Sequence, residues 1–336
     1  MMPVKETMNA VFIEKPGGLL VTREVKVPVP LPGEVLIKMA AAPVNPSDLA
    51  GIRHDSGEHD HIDFIPGIEG SGTVVGAGKG LLPSLWLGKR VTCSSDRSSS
   101  GTWAEYMVTS AGMCFPLDKS ISFEQGSMSL VNPLTAIEFF KIIKERGHKA
   151  LINNAAASSL GRMIEMLGRR HGIPVINIVR RQDQADKLKA LGSEHIIIST
   201  DQSFTGKLAN LAAGMGATIL FDSVCDTNLK DMISALPFGS QVIIYGNLAQ
   251  AEKISVSPAS LINNNISVSG FYLGNKSKEN GLLKNMLNLL EVRRLMKQGM
   301  SINIRGTYPI SKAQEAVDAY LSDMSAGKVI FKMPAG

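Results

Sequence analysis

The hydrophobic pattern of this chain changes period once, near residue 122, and that change calls for two domains of different kinds. Up to about residue 121 the apolar residues come in short, partly alternating runs. Ala10-Val11-Phe12-Ile13, Val35-Leu36-Ile37 and Val91-Thr92-Cys93 are examples, cut by turn signals at Pro16-Gly17-Gly18, Pro32-Gly33 and Gly76-Ala77-Gly78. That spacing predicts a small, mostly antiparallel β-domain or partial barrel over residues 1–121. From 122 to 270, short and nearly continuous apolar strands (150–153, 174–179, 196–198, 217–221, 241–245) alternate with helix-length stretches such as 160–171 and 182–191. Strands that are apolar on both sides need cover on both faces, so this region predicts a doubly wound parallel α/β sheet. Residues 271–336 hold two helical stretches and end in the strand Gly327-Lys328-Val329-Ile330-Phe331-Lys332. A lone strand is not stable in water. The tail is therefore expected to return to the first β-domain, which makes the α/β domain an insertion.

Composition narrows the class. A length of 336 residues suits two domains at roughly 150 residues each. With 44% hydrophobic and 19% charged residues the chain is no disordered polymer. No apolar run reaches the ~18 residues that cross a bilayer, and the first residues lack the apolar core and cleavage site of a secretory signal. Cys93, Cys114 and Cys225 cannot all pair and show no C-x-x-C spacing, which excludes a disulfide scaffold or a cysteine-rich zinc module. The formal charge of +5 is scattered rather than clustered with aromatic residues, so a phosphate-bearing small molecule explains it as well as a nucleic acid would. These features predict a soluble, cytoplasmic protein with no nucleic-acid or membrane partner.

The segment that points to chemistry is Leu151-Ile152-Asn153-Asn154-Ala155-Ala156-Ala157-Ser158-Ser159-Leu160-Gly161-Arg162-Met163: a strand, a run of small residues, then a helix. Small side chains at Ala157, Ser158, Ser159, Leu160 and Gly161 would let a pyrophosphate reach the backbone, where free N–H groups and the helix dipole stabilise its charge. The G-x-G-x-x-G fingerprint is absent, with only Gly161 at one of its glycine positions. A plain strand–helix turn has the same look. The second strand runs into Arg180-Arg181, where a site selective for NAD would carry an acid for the ribose 2′-hydroxyl. Two guanidinium groups there could clamp a 2′-phosphate. A solvated basic helix start is the other reading, and it is electrostatically unfavourable at a helix N-terminus. The two segments together predict NADPH as cofactor.

Further motifs stand in order around this core: Ala41-Ala42-Pro43-Val44-Asn45-Pro46-Ser47-Asp48, Pro66-Gly67-Ile68-Glu69-Gly70-Ser71-Gly72 and Gly101-Thr102-Trp103-Ala104-Glu105-Tyr106, then Val131-Asn132-Pro133-Leu134-Thr135-Ala136, Tyr245-Gly246-Asn247-Leu248 and Ser269-Gly270-Phe271-Tyr272-Leu273. With them the chain resembles the medium-chain dehydrogenase/reductase superfamily over nearly its whole length, and within it the zinc-independent quinone oxidoreductases and 2-enoyl thioester reductases. The resemblance implies a Rossmann-type domain inserted into a GroES-like β catalytic domain. It implies cofactor contacts at Asn132 and Thr135, at the 157–161 turn, at Arg180 and Arg181, and at Lys328. Tyr245, Gly246, Asn247 and Leu248, with Phe271, Tyr272 and Leu273, would bracket the nicotinamide. It also implies a homodimer paired through strands near residues 265–273.

Zinc-dependent relatives place a cysteine where this chain has Asn45 and a His-Glu pair where it has Ile68-Glu69, so no metal is expected; a catalytic zinc needs about three N, S or O ligands. Enoyl thioester reductases carry a tyrosine in the loop after the Asn-Pro-Ser-Asp segment, at a position aligned here with Ser56. The same loop, residues 53–63, holds three histidines and four acids. They could bind a metal, line a substrate pocket or form a solvated surface. Without zinc, side-chain donors must polarise the substrate carbonyl, which suits a quinone, an enone or an enoyl thioester. Asn45, Thr135 and Ser56 are the candidate donors, although an Asn before Pro also serves simply to fix a turn. The sequence thus supports an NADPH-dependent reductase of activated double bonds or quinones, with an enoyl thioester reductase of fatty-acid synthesis or a weakly catalytic NADPH-binding protein as alternatives.

Overall fold

The computed structural model describes residues 4–14, 18–53, 64–95 and 101–334. It divides into two compact units, Met1–Val131 with Leu287–Gly336 and Asn132–Met286, so the second unit interrupts the first in sequence. The expected fold class, a doubly wound parallel domain within a β-domain, is the one found.

In the first unit the strands are β1 (Thr7–Ile13), β2 (Leu20–Lys26), β3 (Glu34–Pro43), β4 (Glu69–Ala77), β5 (Arg90–Ser94), β6 (Tyr106–Ser110) and β7 (Cys114–Pro116), with helices α1 (Pro46–Arg53), α2 (Leu81–Trp86) and α3 (Phe123–Gly126) between them. The inserted unit runs α4 (Val131–Arg146), β8 (Ala150–Asn153), α5 (Ser159–His171), β9 (Val175–Val179), α6 (Gln182–Ala190), β10 (His195–Ile198), α7 (Phe204–Met215), β11 (Ala217–Asp222), α8 (Leu229–Ser234), β12 (Gln241–Ile244), α9 (Pro258–Ile262) and β13 (Ser267–Gly270). Next comes α10 (Leu273–Lys297), broken at Gly281, whose φ of 68° is disfavoured for any residue with a Cβ. The chain closes with β14 (Ile304–Tyr308), α11 (Ala313–Ser322) and β15 (Lys328–Lys332). Among the described residues no helix is long and apolar enough to cross a membrane.

The large sheet of the first unit has the order β14-β15-β3-β4-β5-β7, with β6 also on β3. The C-terminal strand β15 runs antiparallel to β3, pairing Ile330 with Pro43 and Phe331 with Ala42. The tail therefore finds its partner near the start of the chain, through the apolar run Val329-Ile330-Phe331, all fully buried. Trp103 seals this junction. It is fully buried, its indole N–H donates to the Pro43 carbonyl at 3.1 Å, and its ring meets Phe331 edge-on at 4.9 Å.

The inserted unit is a single parallel sheet in the order β10-β9-β8-β11-β12-β13. Its central strands β8, β9, β11 and β12 are buried on both faces because helices cover them, while the edge strand β13 is largely exposed. Ile152, Ile176, Ile178, Leu220 and Val242 form the core with Leu208 of α7. Strand order reverses between β8 and β11. Crevices at such a switch point, beyond the carboxyl ends of the strands, are where open α/β sheets hold ligands.

Truncating Trp103 removes a large buried ring and leaves the Pro43 carbonyl unpaired. Trp103→Ala should lower unfolding stability by about 3–5 kcal/mol, measured by denaturant titration. A loss under about 1 kcal/mol would mean that the β3–β15 closure does not depend on it.

Candidate functional site

The turn between β8 and α5 is built from small residues for a steric reason. A Cβ at Gly161 would lie 2.5 Å from the Ala156 carbonyl oxygen and 2.7 Å from that of Ala155, so only glycine fits. Ser158 is the N-cap, its hydroxyl accepting the Gly161 N–H at 3.0 Å. Ala157, Ser159 and Leu160 are buried. The N–H groups of Ser159 and Leu160 lie in the first helical turn, where no carbonyl four residues back belongs to the helix. This is a backbone arrangement that can take an anionic group.

Arg180 and Arg181 follow β9, and both are exposed. Arg181 is forked onto Asp183, with Nε–Oδ1 at 2.8 Å and Nη2–Oδ2 at 3.3 Å. The Arg181 hydrogen bonds pull the Asp183 carboxyl down to about 2. The Arg180 backbone N–H donates to Gln184 Oε1 at 3.2 Å, and among the described residues no acid engages its guanidinium. At the end of β12, Tyr245 and Phe271 both meet the Phe139 ring edge-on at 5.0 Å, and Phe139 stacks on Phe221 at 4.0 Å. A Cβ at Gly246 would lie 3.0 Å from Ser223 Cβ and 3.1 Å from the Ser223 carbonyl oxygen, so the 245–248 turn packs closely on Ser223. Leu248 N–H donates to the Ser223 carbonyl at 2.9 Å, and Asn247 closes its own loop onto Ala251. Tyr272 is half exposed, and Leu273 opens α10. Asn132 and Thr135 sit in the first turns of α4, Thr135 buried.

All of these residues belong to the inserted unit, and most of them line the carboxyl edge of its sheet. Asn45 and Lys328 lie in the other unit, where the structure brings them into contact. Ser56 and residues 54–63 lie outside the described residues.

Among the described residues, the Asn45–Lys328 contact stands out as a buried place that gathers charged groups. Asn45 and Lys328 are 1% and 2% exposed. Lys328 Nζ donates to Asn45 Oδ1 and, at 3.3 Å, to the Val44 carbonyl; it lies 5.8 Å from the centre of the Tyr320 ring. Asn45 Nδ2 donates to Glu69 Oε1 at 3.0 Å, and Glu69 Oε2 accepts the Leu130 and Val131 N–H groups at 3.0 Å each. Asp48, in the first turn of α1, accepts Asn45 N–H at 2.7 Å and Ile68 N–H at 2.9 Å. An ammonium only donates and a carboxylate only accepts, so the orientation of the amide is fixed by its neighbours. One Nδ2–H remains with no other acceptor among the described residues. Burial pushes the Glu69 carboxyl up and the Lys328 ammonium down, while each draws the other back toward its charged form. Burial also raises Asp48, to about 7.

This donor set does not fit zinc. Ile68 has no donor atom and the Asn45 amide is engaged at both ends. Among the described residues no cluster of three or more His, Cys, Asp or Glu could hold an ion. Asp48, Glu69, Asn154 and Asp222 are polar residues of these sites that the sequence did not single out. For Asp222 one signal existed, a lone acid closing an otherwise apolar strand.

The family described as "Alcohol dehydrogenase GroES-like domain" matches residues 31–119, and the one described as "Zinc-binding dehydrogenase" matches residues 159–290. The mitochondrial enoyl-[acyl-carrier-protein] reductase of Arabidopsis thaliana is 29% identical over 254 residues, a match covering 71% of this chain and 64% of that protein. Quinone oxidoreductase of Rattus norvegicus is 23% identical over 331 residues, 97% of this chain and 98% of the relative. Among solved structures, a putative NADPH:quinone reductase from Mesorhizobium loti superposes with a TM-score of 0.88 at 30% identity, covering 98% of this chain and all of that one.

The Asp48 carboxyl gives a pH signature. Unfolded, it ionises near pH ~3.9; folded, it holds its proton up to about pH 7. The stability this proton confers is fully present below about pH 4 and is lost as pH rises through about 7. Asp48→Asn cannot accept both N–H groups, so it is less stable throughout. Its deficit relative to wild type should nonetheless shrink by a few kcal/mol between those limits, read from melting temperatures. A deficit that grows with pH would contradict the assignment.

Proposed function

Because the chain belongs to the medium-chain dehydrogenase/reductase superfamily, in its zinc-independent quinone and enoyl reductase branch, we propose that it is an NADPH-dependent oxidoreductase acting on an activated double bond or a quinone. The observation that carries the cofactor half is the exposed guanidinium of Arg180, unclaimed by any acid among the described residues, at the end of the second strand of a doubly wound sheet. Pyrophosphate would rest on the first turn of α5 over Ala157 to Gly161, and Arg180 and Arg181 would take the 2′-phosphate. Asn132, Thr135, the 245–248 turn, residues 271–273 and Lys328 are the remaining proposed cofactor contacts.

When bound, NADPH supplies a hydride. With an enone or enoyl thioester the β carbon would accept it, and the alkene pair would shift into the bond between the α carbon and the carbonyl carbon as the carbonyl pair moves onto oxygen. A proton from water would then add at the α carbon as the oxygen charge returns. The protein's part is to offer donors where that oxygen charge develops. Asn45 is the favoured donor: Lys328 and Glu69 hold its amide, and one N–H is left to give. Thr135 and Ser56 are the other candidates. Similarity to the Arabidopsis enoyl reductase supports enoyl thioesters as a second substrate reading.

NADPH consumption followed by its absorbance, against a quinone, an alkenal, crotonyl thioester and longer enoyl thioesters, tests the proposal. Turnover of quinone or alkenal is the expected outcome. Turnover of thioesters alone would favour the second reading, and NADPH binding without turnover would leave a non-catalytic binder. Replacing Arg180 and Arg181 together with alanine should weaken NADPH about tenfold or more and NADH by less than about twofold. Equal losses would overturn the clamp.

A homodimer is part of the same proposal. β13 ends the strand order of the inserted sheet. The N–H groups of Ser267 and Phe271 donate to the carbonyls of Ser240, just before β12, and Ile244, at its end, at 3.0 and 2.8 Å, so by alternation those of Val268 and Gly270 face the open side. An open edge of this kind calls for cover, here the same strand of a second copy. Light scattering should give twice the 36.0 kDa chain mass. Val268→Pro, which removes an outward donor, should give monomers. A monomeric wild type would end the idea.

A further inference from the structure

Two residues with side chains hold left-handed backbone conformations at the carboxyl edge of the inserted sheet: Ala155, with φ 54°, and Cys225, with φ 57°. Such a φ is costly for a residue bearing a Cβ. Both are held by one polar pair. Asn154 Oδ1 accepts the Ala155 N–H at 2.8 Å, Asn154 Nδ2 donates to Asp222 Oδ1, and Asp222 Oδ2 accepts the Cys225 N–H at 2.9 Å. Asn154 is 7% exposed and Asp222 fully buried.

We propose that Asn154 and Asp222 form a lock that sets both turns flanking the switch point, and so are positioning residues for the dinucleotide. This rests on the NADPH reading above. The consequences run in two directions. Ala155 O accepts the Ser158 N–H at 2.9 Å, and Ser158 caps the first turn of α5, so one arm of the lock sets the turn assigned to pyrophosphate. On the other arm, Ser223 O and Val224 O accept the N–H groups of Leu248 and Ala249 at 2.9 Å each, and Cys225 Sγ donates to Gly246 O at 3.3 Å. That arm sets the turn assigned to the nicotinamide side. Asp222 must be a pure acceptor, because the groups facing it, the Asn154 amide and the N–H and thiol of Cys225, are all donors.

That requirement gives the test. Asp222→Asn presents an NH2 to one of two donors and breaks an arm, and Asn154→Asp sets two acceptors against each other. The double swap, Asn154→Asp with Asp222→Asn, restores the pattern: the new amide donates to residue 154 and still accepts from Cys225, while residue 154 still accepts from Ala155. NADPH affinity is measured by titration well below each variant's melting temperature. Each single variant should bind about tenfold or more weakly, and the swap should return to within about threefold of wild type. Folded single variants with wild-type affinity would overturn the lock, as would a folded swap as weak as the singles. If a single variant does not fold, the swap alone decides on the same criterion. A wild type that binds NADH but not NADPH would defeat the cofactor reading, and the same variants would then test the lock on NADH. Binding of neither dinucleotide would defeat both.

Discussion

The first unit depends on an amide wedged between an ammonium and a carboxylate. Asn45 links Lys328, from the last strand, to Glu69, at the start of β4, and Glu69 reaches on to the N–H groups of Leu130 and Val131. Four segments that are far apart in sequence meet there. A pair of buried charges is seldom a net source of stability against well-packed apolar residues, but removing one partner strands the other at about 3–5 kcal/mol. The value of the arrangement is therefore in specification. A β15 displaced by one residue would turn Lys328 away from Asn45 and leave Glu69 buried without a counter-charge. Apolar contacts around Trp103 and Phe331 supply the attraction, and the polar contact fixes the register.

Much of this architecture was legible from the sequence, because strands covered on both faces must be apolar throughout and strands exposed on one face must alternate. The return of the tail could be inferred from Val329-Ile330-Phe331 alone. What could not be inferred is which lysine of that strand is inside. Lys328 and Lys332 stand four residues apart and point the same way in a period-two strand, yet Lys328 is buried while the Lys332 side chain is 61% exposed and pairs with Glu124. Only the location of Asn45, 283 residues away, separates them. The same limit applies to Asn154 and Asp222. Each looks like a polar residue at a strand end, and only a sheet order that sets β8 beside β11 makes them partners. Arg181 differs, since its acid is two residues on and open to view; the fork it makes with Asp183 is a local contact between exposed groups and worth little on its own.

Both units use a buried carboxyl group in one way, as a fixed acceptor for donors that the fold cannot otherwise satisfy. Glu69 and Asp48 do this in the first unit, and Asp222 in the inserted one. Burial pushes all three carboxyls upward, which is the sign of groups kept for their geometry despite the cost of their charge. Preorganisation of this kind matters most to a reductase with no metal to polarise its substrate. A donor N–H stabilises a developing enolate only if it already points at the oxygen and need not reorganise during the reaction. In the proposed chemistry that requirement falls on the remaining Asn45 N–H, and the Lys328 and Glu69 contacts keep the amide from turning. A donor so constrained is weaker than a metal ion. It is matched to conjugated alkenes and quinones, which accept hydride with modest activation, and poorly matched to an isolated ketone.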